Sequence, residues 1–493
     1  MKIYKLLPLI ILCIIGICLQ GCNDFLDLAP DDRTEINSLD KVNQTLVGAY
    51  QNERGFRFTF WSSDNATLVD GVPYNESIIE DLYTWSKNIR NQQHQDSPTE
   101  YWHAAYYSIA HVNRILKALD ELEATPKTAE ERQRADGYRG EALIIRAYNH
   151  FMLVNLFGKH YNPATADTDL GVPYATEPEN RLIVDYPRLT VKETYDKIEN
   201  DIKDGLSLIE KAGIMKQNNK YRFTLPTVYT FASRFYTFRN AGDADVKAAV
   251  QYAEKAIQTY GGLDKMRLWS DYFQDPMGFV DINRPDVGLI QASYSWVPFN
   301  WKYSITFTIF YLLINEERWI NPTVFYTDSR LMINYQRQGD IWMPVFYFEP
   351  TGNSEDTAID LFPLSEAILL GAEGYARLGD FEQYKICMEA IAKSVYIQYD
   401  SRIFTLQNLN SAYNEQAGIY HSDKDKNAMI AYCLFERRMM SLMKGMRWFD
   451  IRRYNMEVEH PTDDGTVLKL SEKNPDRVFQ IPEYAIKAGM KGN

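Results

Sequence analysis

The chain is expected to be mainly α, with helical hairpins of the tetratricopeptide type forming a scaffold and an irregular aromatic-rich loop region inserted into it. Three observations predict this. Apolar residues recur at helical spacing over long stretches before about residue 265 and after about residue 360. Helix, tight turn and helix follow one another at 224–262 and again at 364–396. Between them the helical period is lost, and residues 268–348 carry 20 Trp, Tyr and Phe in 81 positions. That is about a quarter, against 14% for the whole chain, and five of the nine tryptophans lie there.

The first element is not part of the fold. Lys2 and Lys5 form a short positive region, and Leu6 to Leu19 is an apolar run of 14 residues. A membrane-spanning helix needs about 20 residues, so this length suits a signal peptide. The run ends in Leu19-Gln20-Gly21-Cys22, followed by the polar pair Asn23 and Asp24. The pattern is that of a lipobox, in which the cysteine sulfur is acylated and the peptide is cut before it. Residues 1–21 are therefore read as a lipoprotein signal peptide, Cys22 as the lipidation site and 22–38 as a lipidated tether. The tether reads "CNDFLDLAPDDRTEINS", with turn formers and no helical period. Each buried CH₂ contributes about 0.8 kcal/mol, so several acyl chains on Cys22 would hold firmly.

Residues 39–493 are expected to form a single domain, with a helical scaffold over about 39–265 and 360–455 and the irregular insertion over about 266–359. Ser97-Pro98 is an N-cap and first-turn pair. Tyr101, Ala105, Ile109, Val112 and Leu116 then recur on one helical face. A second long helix spans 129–157 and is expected to close on Gly158 as a C′ glycine. A third begins at a capping box, Thr190 with Glu193, and closes on Gly213. Helices at 224–243 and 244–262 pair. In 364–396 the turn is Leu378-Gly379-Asp380, and Gly371, Ala372, Gly374 and Ala376 are small enough for two helices to approach closely. Trp102 and Trp448 fall on apolar helical faces and are expected in the core.

Charge limits the partners. The chain carries −13, and −15 once Lys2 and Lys5 leave with the signal peptide. Nucleic acid demands a basic footprint, so it is not an expected ligand. Of five cysteines, Cys387 and Cys433 would remain as thiols in the mature body, and both sit among apolar neighbours. Buried free thiols are expected rather than a disulfide. The sequence has no phosphate-cradling glycine loop, GxSxG elbow or HExxH pair. His103 and His111 lie eight apart on one helix without an obvious ligand partner. No enzymatic activity, cofactor or metal site is expected.

In this order along the chain, several segments resemble the SusD/RagB family of outer-membrane nutrient-binding lipoproteins. "CNDFLDLAP" is similar to the family's anchor and lead-in, and "WSSDNA" (61–66) to its early loop. Trp102, Tyr106, Ile109 and Asn113 have its spacing. "GEALIIRAYNHFMLVNLFG" (140–158) followed by "LGVPYAT" (170–176) resembles its most recognisable helix, and "ERRMMSLMKGMRWFDIRRY" (436–454) its C-terminal signature. Lys444 and Met440 depart from acidic residues usual there, and "FQIPEYAIKAGMKGN" lacks the usual terminal Asn-Pro-Gly. The resemblance implies a cell-surface lipoprotein that binds an oligo- or polysaccharide and delivers it to a paired TonB-dependent transporter of the SusC type. The charges of the signature, Glu436, Arg447, Asp450 and Arg453, read as paired ions within the scaffold.

The family's ligand contacts vary from member to member, so candidates come from the residues. A pyranose face rich in C–H groups stacks on a flat ring, and its hydroxyls need planar polar partners. Trp85, Trp296, Trp301 and Tyr303 are the candidate platforms, with Tyr74 and Trp319 behind them. Trp85 precedes "SKNIRNQQHQD", where Asn88, Arg90 and Asn91 could hydrogen-bond, and Asn300 lies between Trp296 and Trp301. Two other readings remain open: capture of a peptide or glycopeptide in the same transport system, or a helical scaffold lipoprotein with no ligand.

Overall fold

The computed structural model describes residues 35–50, 55–69, 76–123, 127–178, 187–213, 219–269, 281–297, 302–304, 334–338, 341–345, 356–396, 399, 401–413, 418–471, 474 and 477–493. Cys22 and the tether up to residue 34 lie outside them. Of the unit Met1–Asn37, residues 35–37 are described, and Ser38–Asn493 forms one compact unit.

That unit is mainly helical, as expected. Helix α1 (Leu39–Gly48) starts where the Ser38 hydroxyl accepts the Lys41 N–H at 3.3 Å. After the short α2 (Ser77–Tyr83), α3 (Pro98–Glu123) and α4 (Ala129–Phe157) form a hairpin, and α5 (Val191–Ala212) packs on α4. Helices α6 (Leu225–Arg239) and α7 (Asp243–Tyr260) form the next hairpin, and α8 (Leu364–Leu378) and α9 (Phe381–Val395) another. Helices α10 (Leu406–Ala412), α11 (Lys424–Met440), α12 (Arg447–Arg453) and α13 (Glu483–Lys487) follow. Capping boxes at Thr128–Glu131 and Thr190–Glu193 satisfy the first amides of α4 and α5.

Glycines set the helix approaches. A Cβ on Gly140 of α4 would come within 2.8 Å of the Gly205 carbonyl of α5, and one on Gly205 within 2.9 Å of the Gly140 carbonyl. The small residues of α8 serve the neighbouring hairpin: a Cβ on Gly374 would lie 2.4 Å from Val250 on α7, and one on Gly371 3.3 Å from Ala253. Gly213 and Gly379 close their helices with φ of 64° and 79°. Gly158 corrects the expectation of a left-handed C′ residue. Its φ is −110°, and glycine is needed there because a Cβ would meet the Val154 carbonyl at 2.9 Å.

Strands are few and short. β1 (Thr67–Leu68) pairs with β3 (Tyr303–Ser304), and β2 (Leu289–Tyr294) with β6 (Asp356–Leu361). β4 (Asn334–Gln338) pairs with β5 (Ile341–Val345), and β7 (Val458–Pro461) with β8 (Val467–Leu470), all antiparallel. Four of these strands and part of a fifth fall within 266–359.

Trp102 and Trp448 are buried, and so are Cys387 and Cys433, which are free thiols. Burial pushes the Cys387 thiol up to about 12. The family-like segment 436–454 is not one helix: α11 stops at Met440 and α12 begins at Arg447. Gly445 between them has φ 81°, and a Cβ there would meet Thr59 Oγ1 at 2.5 Å and the Phe56 carbonyl at 2.8 Å. Its charges are paired within the scaffold. Glu373 on α8 accepts from Arg437, Arg453, Arg377 and Tyr454. Asp450 accepts from Arg437 and Arg453, and Asp64 takes both Nε and a terminal nitrogen of Arg447.

Candidate functional site

Four aromatic rings from distant parts of the chain stack face to face. Tyr83, the last residue of α2, lies 4.0 Å and 3° from His460 on β7, measured between ring centroids and planes. Trp85 covers the other face of His460 at 4.4 Å and 12°. Tyr303 on β3 covers the other face of Tyr83 at 4.2 Å and 26°. The column therefore runs Trp85, His460, Tyr83, Tyr303. It joins the α2 region to the β1–β3 ladder and the β7–β8 hairpin.

Hydrogen bonds fix each ring. The Tyr83 hydroxyl accepts from the Leu68 N–H at 3.1 Å and donates to the Pro461 carbonyl at 2.9 Å. Trp85 Nε1 donates to the Ser62 carbonyl at 2.9 Å. His460 Nδ1 lies 2.7 Å from the Tyr83 carbonyl and Nε2 3.0 Å from that of Ser63. Two carbonyls can both be served only by a protonated ring. Burial holds His460 below its ordinary value, while both carbonyls and Asp64 pull the other way. Trp85 has φ 54°, which for a bulky residue costs about 1–3 kcal/mol and persists only because the surroundings impose it.

This column settles how two nominated platforms are placed. Trp85 is 9% exposed and Tyr303 5%, and the rings face other rings. Their faces are used in packing, which no feature of the local sequence signals, because the partner ring His460 stands about 375 residues beyond Trp85. Arg90 is likewise committed: its Nε and main-chain N–H both donate to Asp81 at 2.8 Å, and a terminal nitrogen to Glu80 at 2.6 Å.

Trp296 is placed differently. It is half-buried, and its main-chain N–H donates to Asp96 Oδ2 at 2.7 Å while the Ser295 hydroxyl donates to Oδ1 at 2.7 Å. Asp96 is 1% exposed, so it is a buried bracket between two segments 200 residues apart. The His94 ring stands 6.3 Å from the Trp296 ring, and His94 Nδ1 accepts the Asp96 N–H at 3.1 Å. Asn88 and Asn91 on the same polar run are exposed. Of the two segments nominated from the sequence, Trp85 with 86–96 and 293–304, Asp96 of the first thus meets Ser295 and Trp296 of the second. Asp96 and His460, which join them, were not nominated; an aspartate that ends a polar run carries no signal of a partner 200 residues away. Tyr74, Asn300, Trp301 and Trp319 lie outside the described residues. No group of three or more His, Cys, Asp or Glu among the described residues could hold a metal ion. No described helix is long and apolar enough to cross a membrane.

Residues 24–237 match the sequence family SusD-like_3, described as starch-binding associating with outer membrane. The chain is 21% identical over 521 residues to the SusD-like protein P38 of Formosa agariphila, covering 93% of each. Its fold is similar to that of a putative sugar binding protein from Bacteroides vulgatus, with a TM-score of 0.70 and 21% identity over 94% of this chain and 99% of that one. A SusD superfamily protein from Bacteroides thetaiotaomicron also superposes with a TM-score of 0.70, at 16% identity, over 92% of this chain and 99% of that one.

Proposed function

We propose that this chain, which matches the SusD-like_3 model over residues 24–237, captures a glycan at the outer membrane and delivers it to a SusC-like TonB-dependent transporter. A lipid on Cys22 would hold it there, facing the cell exterior. The work is binding and release, with no bond made or broken in the glycan.

The observation that carries this reading is the bracket at Asp96. It fixes the main chain of the half-buried Trp296 to the segment that carries the exposed Asn88 and Asn91, with the Trp296 ring 6.3 Å from that of His94. A ring supplies the stacking face and the amides supply in-plane hydrogen bonds, which is the pairing a pyranose needs. The buried column of Trp85, His460, Tyr83 and Tyr303 ties the same two segments together, with Trp85 at one end and Tyr303 at the other. Trp301, Trp319, Tyr74 and Asn300, which lie outside the described residues, are proposed as further ligand contacts. The similarity to proteins whose descriptions name sugar or starch binding supports the choice of ligand class.

The test is a panel of neutral and acidic polysaccharides in native affinity gels, with the full-length chain in detergent. Retardation by one or a few glycans is expected. Protease treatment of intact cells should remove the protein from the surface, and Cys22→Ser should abolish that accessible pool. No retardation by any glycan would overturn the capture reading.

A further inference from the structure

Away from Trp296, a cleft of about 820 Å³ opens between the loop that follows α4 and the last residues of the chain. That volume lies within the ~300–1,000 Å³ typical of small-molecule sites. Among the described residues its wall carries Lys159, Arg452 and Lys491 against one carboxylate side chain, Asp169, and Lys87 and Arg477 also line it. In a chain of net charge −13 this runs against the general trend.

Among the described residues, the arginine at its floor has no counter-ion. Arg452 is 4% exposed; its terminal nitrogens donate to the Asn155 and Gly158 carbonyls, and its Nε has no partner. Arg188, behind the same loop, donates to the carbonyls of Phe157, Leu170, Gly171 and Lys491. Both serve the C-terminal end of α4, whose dipole amounts to roughly half a negative charge and so leaves most of theirs uncancelled. Burial holds each guanidinium down to about 10. His160, on the cleft wall with its Nδ1 buried and unpartnered, is held down to about 3 by burial and then by the charges of Arg452, Arg453 and Arg377. The field in the cleft is positive, and low-dielectric walls concentrate it.

We propose that this cleft binds an anionic sugar unit, one carrying a carboxylate or a sulfate, which Lys159 and Lys491 engage from its exposed edge. Lys159 is now tied to Asp169 at 2.6 Å, and Asp169 also accepts from Thr165 at 2.7 Å. An incoming anion would compete with Asp169 for that lysine. Lys87 stands two residues beyond Trp85, so the cleft adjoins the polar run of the surface proposed above. The inference rests on the glycan-capture reading and narrows its substrate class to acidic chains with two points of contact.

Calorimetry on the full-length chain in detergent tests this with four probes: an oligogalacturonate, a sulfated dextran oligosaccharide, neutral dextran, and phosphatidylglycerol vesicles. Binding of one or both acidic oligosaccharides is expected, weakening as salt rises. The Lys159→Gln/Lys491→Gln double variant should bind them about tenfold more weakly, since two charge-assisted contacts are lost. Asp169→Asn should bind them more tightly. Preference between the two oligosaccharides identifies carboxylate or sulfate. Equal affinity of wild type and the double variant, or binding to the vesicles but to neither oligosaccharide, would overturn the inference. Binding of neutral glycans alone would overturn it while leaving glycan capture intact; binding of none would remove both.

Discussion

Trp85 and Trp296 are the same residue type put to different uses, and substitution should separate them. Trp85 is one face of the His460 sandwich, so Trp85→Ala should cost about 3–5 kcal/mol in urea unfolding. Trp296 is half-buried at a surface, and Trp296→Ala should change stability by less than about 1 kcal/mol. Glu373 makes the electrostatic counterpart. Burial would raise its carboxyl, but Arg453, Arg437 and Arg377 outweigh this and hold it well below its ordinary value. A depressed carboxylate contributes stability above its unfolded value of about 4.5, which is lost as pH falls towards the folded value. Unfolding free energy should therefore drop below about pH 4.5, and Glu373→Gln should flatten that slope. At pH 7 the same substitution should cost about 3–5 kcal/mol, because the arginines keep their charge and lose their partner. The polar and ring chemistry of these positions was legible in the sequence. Which rings face solvent was not, since Trp85 is covered by His460 and Trp296 is held by Asp96, both far away in the chain.

Helices announce themselves through caps and periodicity, and those features transferred directly: Thr190 with Glu193, Gly213, and the Gly379 turn stand where the residues place them. Junctions were less legible. Charges stand at helical spacings in 436–454, but Gly445 turns the chain between α11 and α12, lying against the 3₁₀ turn Arg57–Phe60. Gly445→Ala should cost about 3 kcal/mol, combining a left-handed backbone with a blocked approach to Thr59 and Phe56. Gly140 and Gly205 look unremarkable in sequence, yet each lies against the other's carbonyl where α4 crosses α5. Gly140→Ala should lower unfolding free energy by about 1–3 kcal/mol, whereas the helix propensity of alanine alone would raise it. Urea titration of both variants checks these values.

For the molecule as a whole, the helical hairpins and the interrupting strand-rich region follow from where helical periodicity stops and starts again. What periodicity cannot supply is the joining of residues 85–96 to 294–303 through Asp96, or of α2 to β7 through His460. These contacts join two aromatic segments that are distant in the chain. The cationic cleft was equally hidden, because its charges come from residues 87, 159, 452, 477 and 491 in an acidic chain. The central claim is that Trp296 works in ligand contact and Trp85 works inside the buried column. The most direct measurement is the affinity of whichever glycan retards the wild type, by calorimetry, for Trp296→Ala with its melting curve recorded in parallel. Loss of about tenfold or more in affinity with an unchanged melt is the expected result. Wild-type affinity in a folded Trp296→Ala protein would contradict it.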